Sequence, residues 1–247
     1  MLEIKHLTAK RKNKTVLNDI SFSLKPHTVT AVIGKNGCGK STLCECINQT
    51  VPYVGEILYS GRNIALMQPR ERASYISFLP QCLASPHITV RELIALGRSP
   101  YTDIGHRATK TDIQKCMFAA EETGVSHMLD AFVDELSGGE RQKAYLAMTL
   151  AQDTRIMLLD EPATYLDMEY ERALMDTLTE IKSRYKKTIL VVMHNLNYAM
   201  KYADNVAVIK DGSLAFYGSR DDCMDSGIIE AVFGVKKYVA GNELFFG

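Results

Sequence analysis

The sequence predicts an α/β fold, a mostly parallel, doubly wound sheet carrying an inserted helical stretch. Three observations predict it. Runs of apolar, largely β-branched residues at 29–33, 156–159 and 189–193 are continuous rather than alternating, as in strands buried on both faces. Segments of helical spacing lie between these runs, which calls for crossover connections and hence parallel strands. Between about Cys82 and Asp153 the β-branched runs thin out and helical spacing takes over.

Taken in order, residues 2–8 and 16–24 read as short strands joined by the basic turn Lys10-Arg11-Lys12-Asn13-Lys14. The strand at 29–33 leads into a glycine-rich loop and a helix that ends near Pro52. Gly55–Tyr59 is a strand, Pro69–Ser74 a short helix, and Tyr75–Leu79 a strand closed by Pro80-Gln81. Thr89–Leu96 reads as a helix. A second follows with an apolar face at Ile113, Cys116, Met117 and Ala120, and Thr111-x-x-Gln114 as its capping box. Gly139–Ala151 is a third. The alternation then resumes: strand 156–159, amphipathic helix 168–185, strand 189–193, helix 195–203, and strands 206–209 and 214–217 around the turn 210–213. The tail after Gly234 is weakly patterned. The chain is expected to be one domain over 1–247, with an α/β core from 1–84 and 154–247 and a helical subdomain over 85–153.

Composition narrows the function classes. An apolar share of 46% supplies ample core. Lys+Arg and Asp+Glu both number 29, so no net basic field draws nucleic acid or an anionic membrane. The six cysteines form no CxxC and no Cys/His cluster, and read as reduced thiols. Residues 1–14 lack the apolar core of a signal peptide, and no apolar run approaches the ~20 residues of a membrane span.

The most informative stretch is Gly34-Lys35-Asn36-Gly37-Cys38-Gly39-Lys40-Ser41-Thr42. Strand, glycine loop and helix follow one another here in the order a phosphate-binding P-loop requires. Glycines let the backbone amides curl inward around a phosphate chain, and the helix N-terminus adds partial positive charge. Lys40 suits the β/γ-phosphates and the Ser41 hydroxyl suits a Mg²⁺ ligand position. The chain is expected to bind a nucleoside triphosphate.

Two further stretches bear on chemistry. Ile156–Leu159 ends in Asp160-Glu161-Pro162, so the carboxyl end of a buried strand presents two acids. Asp160 is placed to hold Mg²⁺ and Glu161 to polarise an attacking water; read alone, the pair could equally be an acidic helix cap. Leu136-Ser137-Gly138-Gly139-Glu140-Arg141-Gln142 contains a Ser137-x-x-Glu140 capping box, and its glycines expose a second helix N-terminus suited to an anion.

With these in order, nearly the whole chain resembles the ATPase subunit of ATP-binding-cassette (ABC) transporters. The resemblance implies a P-loop NTPase with a RecA-like core, an N-terminal antiparallel β-subdomain and an inserted helical subdomain. It implies a head-to-tail homodimer in which Ser137 and Gly139 of one copy close over ATP held by Gly34, Asn36, Gly37, Cys38, Gly39, Lys40, Ser41 and Thr42 of the other. It makes Gln81 the Q-loop glutamine, a Mg²⁺ contact beside Ser41 and Asp160. Thr164–Asp167 becomes the D-loop, and His194 the residue that contacts the γ-phosphate beside Glu161.

Residues 89–101, 146–152 and 161–167 resemble the importers of iron-siderophores, haem and cobalamin. That implies a peripheral ATPase on the cytoplasmic face of the membrane. Its permease would dock near 82–108, a substrate-binding protein would act upstream, and no nucleic acid would be involved. A cytosolic cassette serving a soluble assembly complex, with no permease, stays open as an alternative.

Departures from the family pattern are expected to matter little, save one. An adenine-stacking aromatic usual in the first hairpin falls here on Arg11, and no aromatic lies between His6 and Phe22. A guanidinium can stack on a π-face; a merely solvated basic turn is the other reading. Glu140 stands where the signature commonly has Gln, and Lys35 and Cys38 fill variable loop positions.

Overall fold

The computed structural model describes residues 1–102, 107–163, 168–240 and 243–247, with side chains left undescribed at 168, 239, 240, 243 and 244. Strands β1 (Leu2–Arg11) and β2 (Lys14–Leu24) form a hairpin, followed by β3 (Val29–Ile33), α1 (Lys40–Ile47), β4 (Tyr53–Tyr59) and β5 (Arg62–Asn63). Next come α2 (Pro69–Ala73), β6 (Ile76–Leu79), α3 (Val90–Leu96), α4 (Lys110–Glu122) and α5 (Gly138–Ala151). The chain continues with β7 (Ile156–Asp160), α6 (Met168–Tyr185), β8 (Thr188–Val192), α7 (Leu196–Tyr202), β9 (Asn205–Lys210) and β10 (Ser213–Ser219). It ends with α8 (Arg220–Asp225), α9 (Ile228–Phe233), β11 (Lys237–Ala240) and β12 (Glu243–Phe246).

The main sheet runs β10-β9-β3-β8-β7-β6, parallel from β9 to β6 with β10 antiparallel at its edge. Every residue of β3, β7 and β8 is buried. Alternate residues feed two cores, because successive side chains of a strand point to opposite faces. Ala31, Met157, Leu159, Ile189 and Val191 meet helices α3–α7, whereas Val32, Leu158, Leu190 and Val192 meet α1 and the antiparallel sheet β2-β1-β4-β5. With both faces covered, the sheet offers ligands only its carboxyl edge.

Some local expectations are corrected. The capping box of α4 is Thr109 with Asp112, not Thr111 with Gln114, because Asp112 lies three residues after Thr109 and returns its carboxylate to the Thr109 amide and hydroxyl. Starting at Lys110, the helix turns Ala119 and Ala120 inward and leaves Ile113 and Met117 exposed, at 55% and 39%. The basic turn of the first hairpin contracts to Lys12-Asn13, since the ladder reaches Arg11–Lys14. The weakly patterned tail forms the β11–β12 hairpin, which packs against α7 through Asn197: its Oδ1 accepts from the Phe246 amide at 2.8 Å. All six cysteines are free thiols, of which Cys82 is exposed.

Candidate functional site

Parallel register brings the sequence-predicted residues together. β3, β8, β7 and β6 are neighbours, and each delivers something at the same edge. β3 delivers the glycine loop, β8 leads to His194, β7 to Asp160 and Glu161, and β6 to Gln81. A cleft of about 430 Å³ results, lined by Arg11, Val16, Asn36, Gly37, Gly39, Lys40, Ser41, Thr42, Gln81, Glu161 and His194.

The loop is shaped by close packing beneath it. A Cβ on Gly34 would sit 2.3 Å from the Ile209 carbonyl oxygen, and one on Gly39 would meet Leu17 Cδ2 at 2.6 Å, at a backbone φ of +109°. Cys38 turns its thiol under the loop into the core, where burial pushes its pKa up, and its amide donates to the Lys35 carbonyl at 3.2 Å. Its side chain therefore faces away from the cleft, and only its backbone belongs to the cradle. Lys40 is 4% exposed and its Nζ donates to the carbonyl oxygens of Gly34 (3.0 Å) and Lys35 (3.4 Å), so the ammonium is held inside the curl.

At the start of α1, Ser41 Oγ donates to Asp160 Oδ1 at 3.1 Å. Burial pushes the Asp160 carboxyl up to about 6; the negative charges of Glu161 and Glu45 push the same way, while the Ser41 bond and Lys40 oppose them. A carboxylate this buried calls for a cation. The donors gathered here, hydroxyl, carboxylate and the amide of Gln81, are hard oxygen ligands, which suits Mg²⁺.

Glu161 follows β7 with a left-handed backbone, φ +51°. Such a residue costs on the order of 1–3 kcal/mol and persists only where its surroundings hold it. Here the kink turns the carboxylate between two partners: Gln81 Nε2 donates to Oε2 at 2.5 Å, and His194 Nε2 lies 2.6 Å from Oε1.

Ser137 and Gly139 stand apart from this cleft. Ser137 is exposed at the N-cap of α5, its Oγ accepting from the Glu140 amide at 3.3 Å and donating to Glu140 Oε2 at 2.6 Å. Thr164–Asp167 lies outside the described residues. Arg11 does reach the cleft wall, but its guanidinium is paired with Glu45, on the second turn of α1. The sequence reading missed Glu45 and Val16. Glu45, four residues after Ser41 and so on the same helix face, was the signal available.

The profile of the ABC transporter family matches residues 17–164. The petrobactin import ATP-binding protein FpuD of Bacillus anthracis is 36% identical over 246 residues, covering 99% of this chain and 90% of that protein. The chain belongs to the ABC transporter family. It is an ATP-binding, ATP-hydrolysing cassette. The ferric enterobactin transport ATP-binding protein FepC of Escherichia coli is 37% identical over 224 residues, covering 90% of this cassette and 83% of its own length. Solved structures agree on the fold. A nucleotide-free cassette from an ABC transporter superimposes with a TM-score of 0.82 at 21% identity, covering 94% of this chain and 97% of its own. A cassette solved as a dimer with ADP and phosphate gives 0.78 at 22% identity, covering 89% and 99%. Among the described residues no helix is long and apolar enough to cross a membrane.

Proposed function

We propose that the cassette drives uptake of an iron-siderophore, haem or cobalamin-type substrate through a separate permease, hydrolysing ATP in a head-to-tail homodimer at the cytoplasmic face of the membrane. The observation that carries the catalytic half is the Ser41–Asp160 bond with Glu161 one residue further on: a triphosphate loop and an acidic strand end share one cleft. The transport half rests on the relatives, whose names give petrobactin import, a probable siderophore transport system and ferric enterobactin transport.

The roles follow from the chemistry of each group. Amides of Gly34–Thr42 line the phosphate chain, and Lys40 exchanges loop carbonyls for β- and γ-phosphate oxygens. Ser41, Asp160 and Gln81 would hold Mg²⁺, which when bound with ATP neutralises charge on the phosphates. For water to take the Oε2 face of Glu161, Gln81 withdraws and becomes available to that site. Glu161 accepts the proton of the attacking water, while His194, at its other oxygen, contacts the γ-phosphate. Ser137 and Gly139 of the second copy complete the cage from the exposed start of α5, and closing and reopening of the pair moves the permease.

Exposed residues within 82–108, of which 103–106 lie outside the described residues, are those we assign to the permease contact; Leu96 and Tyr101 there are 56% and 40% exposed. A substrate-binding protein then acts upstream, and no nucleic acid is involved. The test is to purify the full chain from membranes. Co-purification with a polytopic permease and ATP-dependent uptake of a ferric siderophore by vesicles are expected. A purely soluble partner would favour the assembly-factor alternative.

A further inference from the structure

His194 sits on a short bridge, Met193 to Asn195, between the end of β8 and the start of α7. Its side chain is 45% exposed, yet its Nε2 lies 2.6 Å from Oε1 of Glu161. A half-exposed imidazole keeps such a geometry only where its backbone is held on both sides. Upstream, Met193 is buried and its amide donates to the Val32 carbonyl at 3.1 Å, which ties the bridge to β3. Downstream the hold is a side chain.

Asn195 caps α7, its Oδ1 accepting from the amides of Asn197 at 3.1 Å and Tyr198 at 3.2 Å. Two N–H groups aimed at one atom identify it as the oxygen, so Nδ2 must face the other way. There it donates to Oε2 of Glu171 at 3.3 Å, on the first turn of α6.

Packing alone does not supply this hold. A cavity of about 220 Å³ is walled by Glu161, Glu171, Met175, Met193, His194 and Asn195, among others. The bridge therefore runs along a hollow, where a filled core would have offered it contacts. Burial pushes the carboxyl of half-buried Glu171 up, while the Asn195 bond and the charge of His194 oppose the shift. Glu171 is thus within electrostatic reach of the imidazole as well.

We propose that Glu171 is a positioning residue for hydrolysis: through the Asn195 amide it fixes where His194 meets Glu161 and the γ-phosphate. It touches no reacting atom, and what it must supply is a hydrogen-bond acceptor. This rests on the reading of the cleft as the triphosphate site and adds a residue of α6 to the reaction.

The experiment measures kcat for MgATP hydrolysis and the dissociation constant of MgATP on the full chain and its variants. Glu171→Ala removes the acceptor and leaves the Asn195 amide unpaired. Asn195→Asp keeps the helix cap but sets two carboxylates against each other. Each is expected to lower kcat ~10-fold or more, because His194 shifts, while MgATP affinity stays near that of wild type. Glu171→Gln still offers an acceptor and is expected to keep most of the wild-type kcat. The double variant Asn195→Asp, Glu171→Gln exchanges donor and acceptor. It is expected to recover most of the activity that Asn195→Asp alone loses. Should Glu171→Ala fail to fold, Asn195→Asp and the exchange decide. A kcat within ~2-fold of wild type in either single variant, Glu171→Ala or Asn195→Asp, would overturn the proposal. So would an exchange no more active than Asn195→Asp, or MgATP affinity falling in step with kcat. Glu161→Gln separates the two levels. If it turns over like wild type, the reading of the cleft fails and this inference with it; if it alone loses turnover, only the role of Glu171 falls.

Discussion

His194 Nε2 lies 2.6 Å from Oε1 of Glu161, and the backbone kink at Glu161 is what brings the two together. The strands that carry them, β8 and β7, are adjacent, with Asp160 paired to Val192 in register. An acid one residue past a buried strand end is thus fixed against a base one strand away, before any substrate enters.

Glu161→Gln tests the role of that acid. The amide keeps the shape and can still hydrogen-bond, but it cannot take a proton. Nucleotide binding is expected to persist while phosphate release falls by ~10²–10⁴-fold. Unchanged turnover would remove Glu161 from the chemistry.

Lys40→Ala removes the one buried ammonium in the loop. The expected outcome is loss of MgATP affinity in equilibrium dialysis with an unaltered far-ultraviolet dichroism spectrum. Retained tight binding would place the triphosphate elsewhere.

These sites were legible in the sequence for a physical reason. Strands buried on both faces must be continuously apolar, so 29–33, 156–159 and 189–193 announce themselves, and whatever follows each sits at one edge. The relationships between side chains were not legible. Arg11 and Glu45 are separated by 34 positions and meet only because the first hairpin packs against α1 through β2. The left-handed turn at Glu161 has no glycine to announce it. Ile113 and Met117 matched a helical face with Cys116 and Ala120, yet of these four only Ala120 is fully buried, because the small Ala119 and Ala120 are the residues that let the helix approach its neighbours. Asp112, read as nothing, proves to be a buried partner.

That buried acid gives a pH prediction. Arg98 Nε donates to Asp112 Oδ1 at 2.9 Å, and Arg98 Nη1 donates to the Ala151 carbonyl at 2.8 Å, joining α3, α4 and α5. Hydrogen bonds from Thr109, then the Arg98 bond and charge, hold the Asp112 carboxyl below its ordinary value. A depressed folded-state pKa means the contribution is present above the unfolded value of 3.8 and lost as pH falls through the lower folded one. Asp112→Ala is expected to cost ~3–5 kcal/mol in urea unfolding at pH 7, because it leaves Arg98 buried and unpaired. The penalty is expected to shrink below pH 4. A constant penalty from pH 7 to pH 3 would contradict the assignment.

Ser137→Arg places a long cation at an exposed helix start without entering its own copy's cleft. In a Glu161→Gln background, MgATP is expected to drive dimerisation, seen by light scattering. Adding Ser137→Arg is expected to keep ATP binding and abolish that dimer. A dimer that forms regardless would detach the start of α5 from the shared site.

The most direct measurement is a crystal structure of the Glu161→Gln chain with MgATP. The account predicts two copies head to tail, with each γ-phosphate between Lys40 of one and Ser137 of the other. A nucleotide bound away from Lys40, or a closed pair with Ser137 facing solvent, would contradict it.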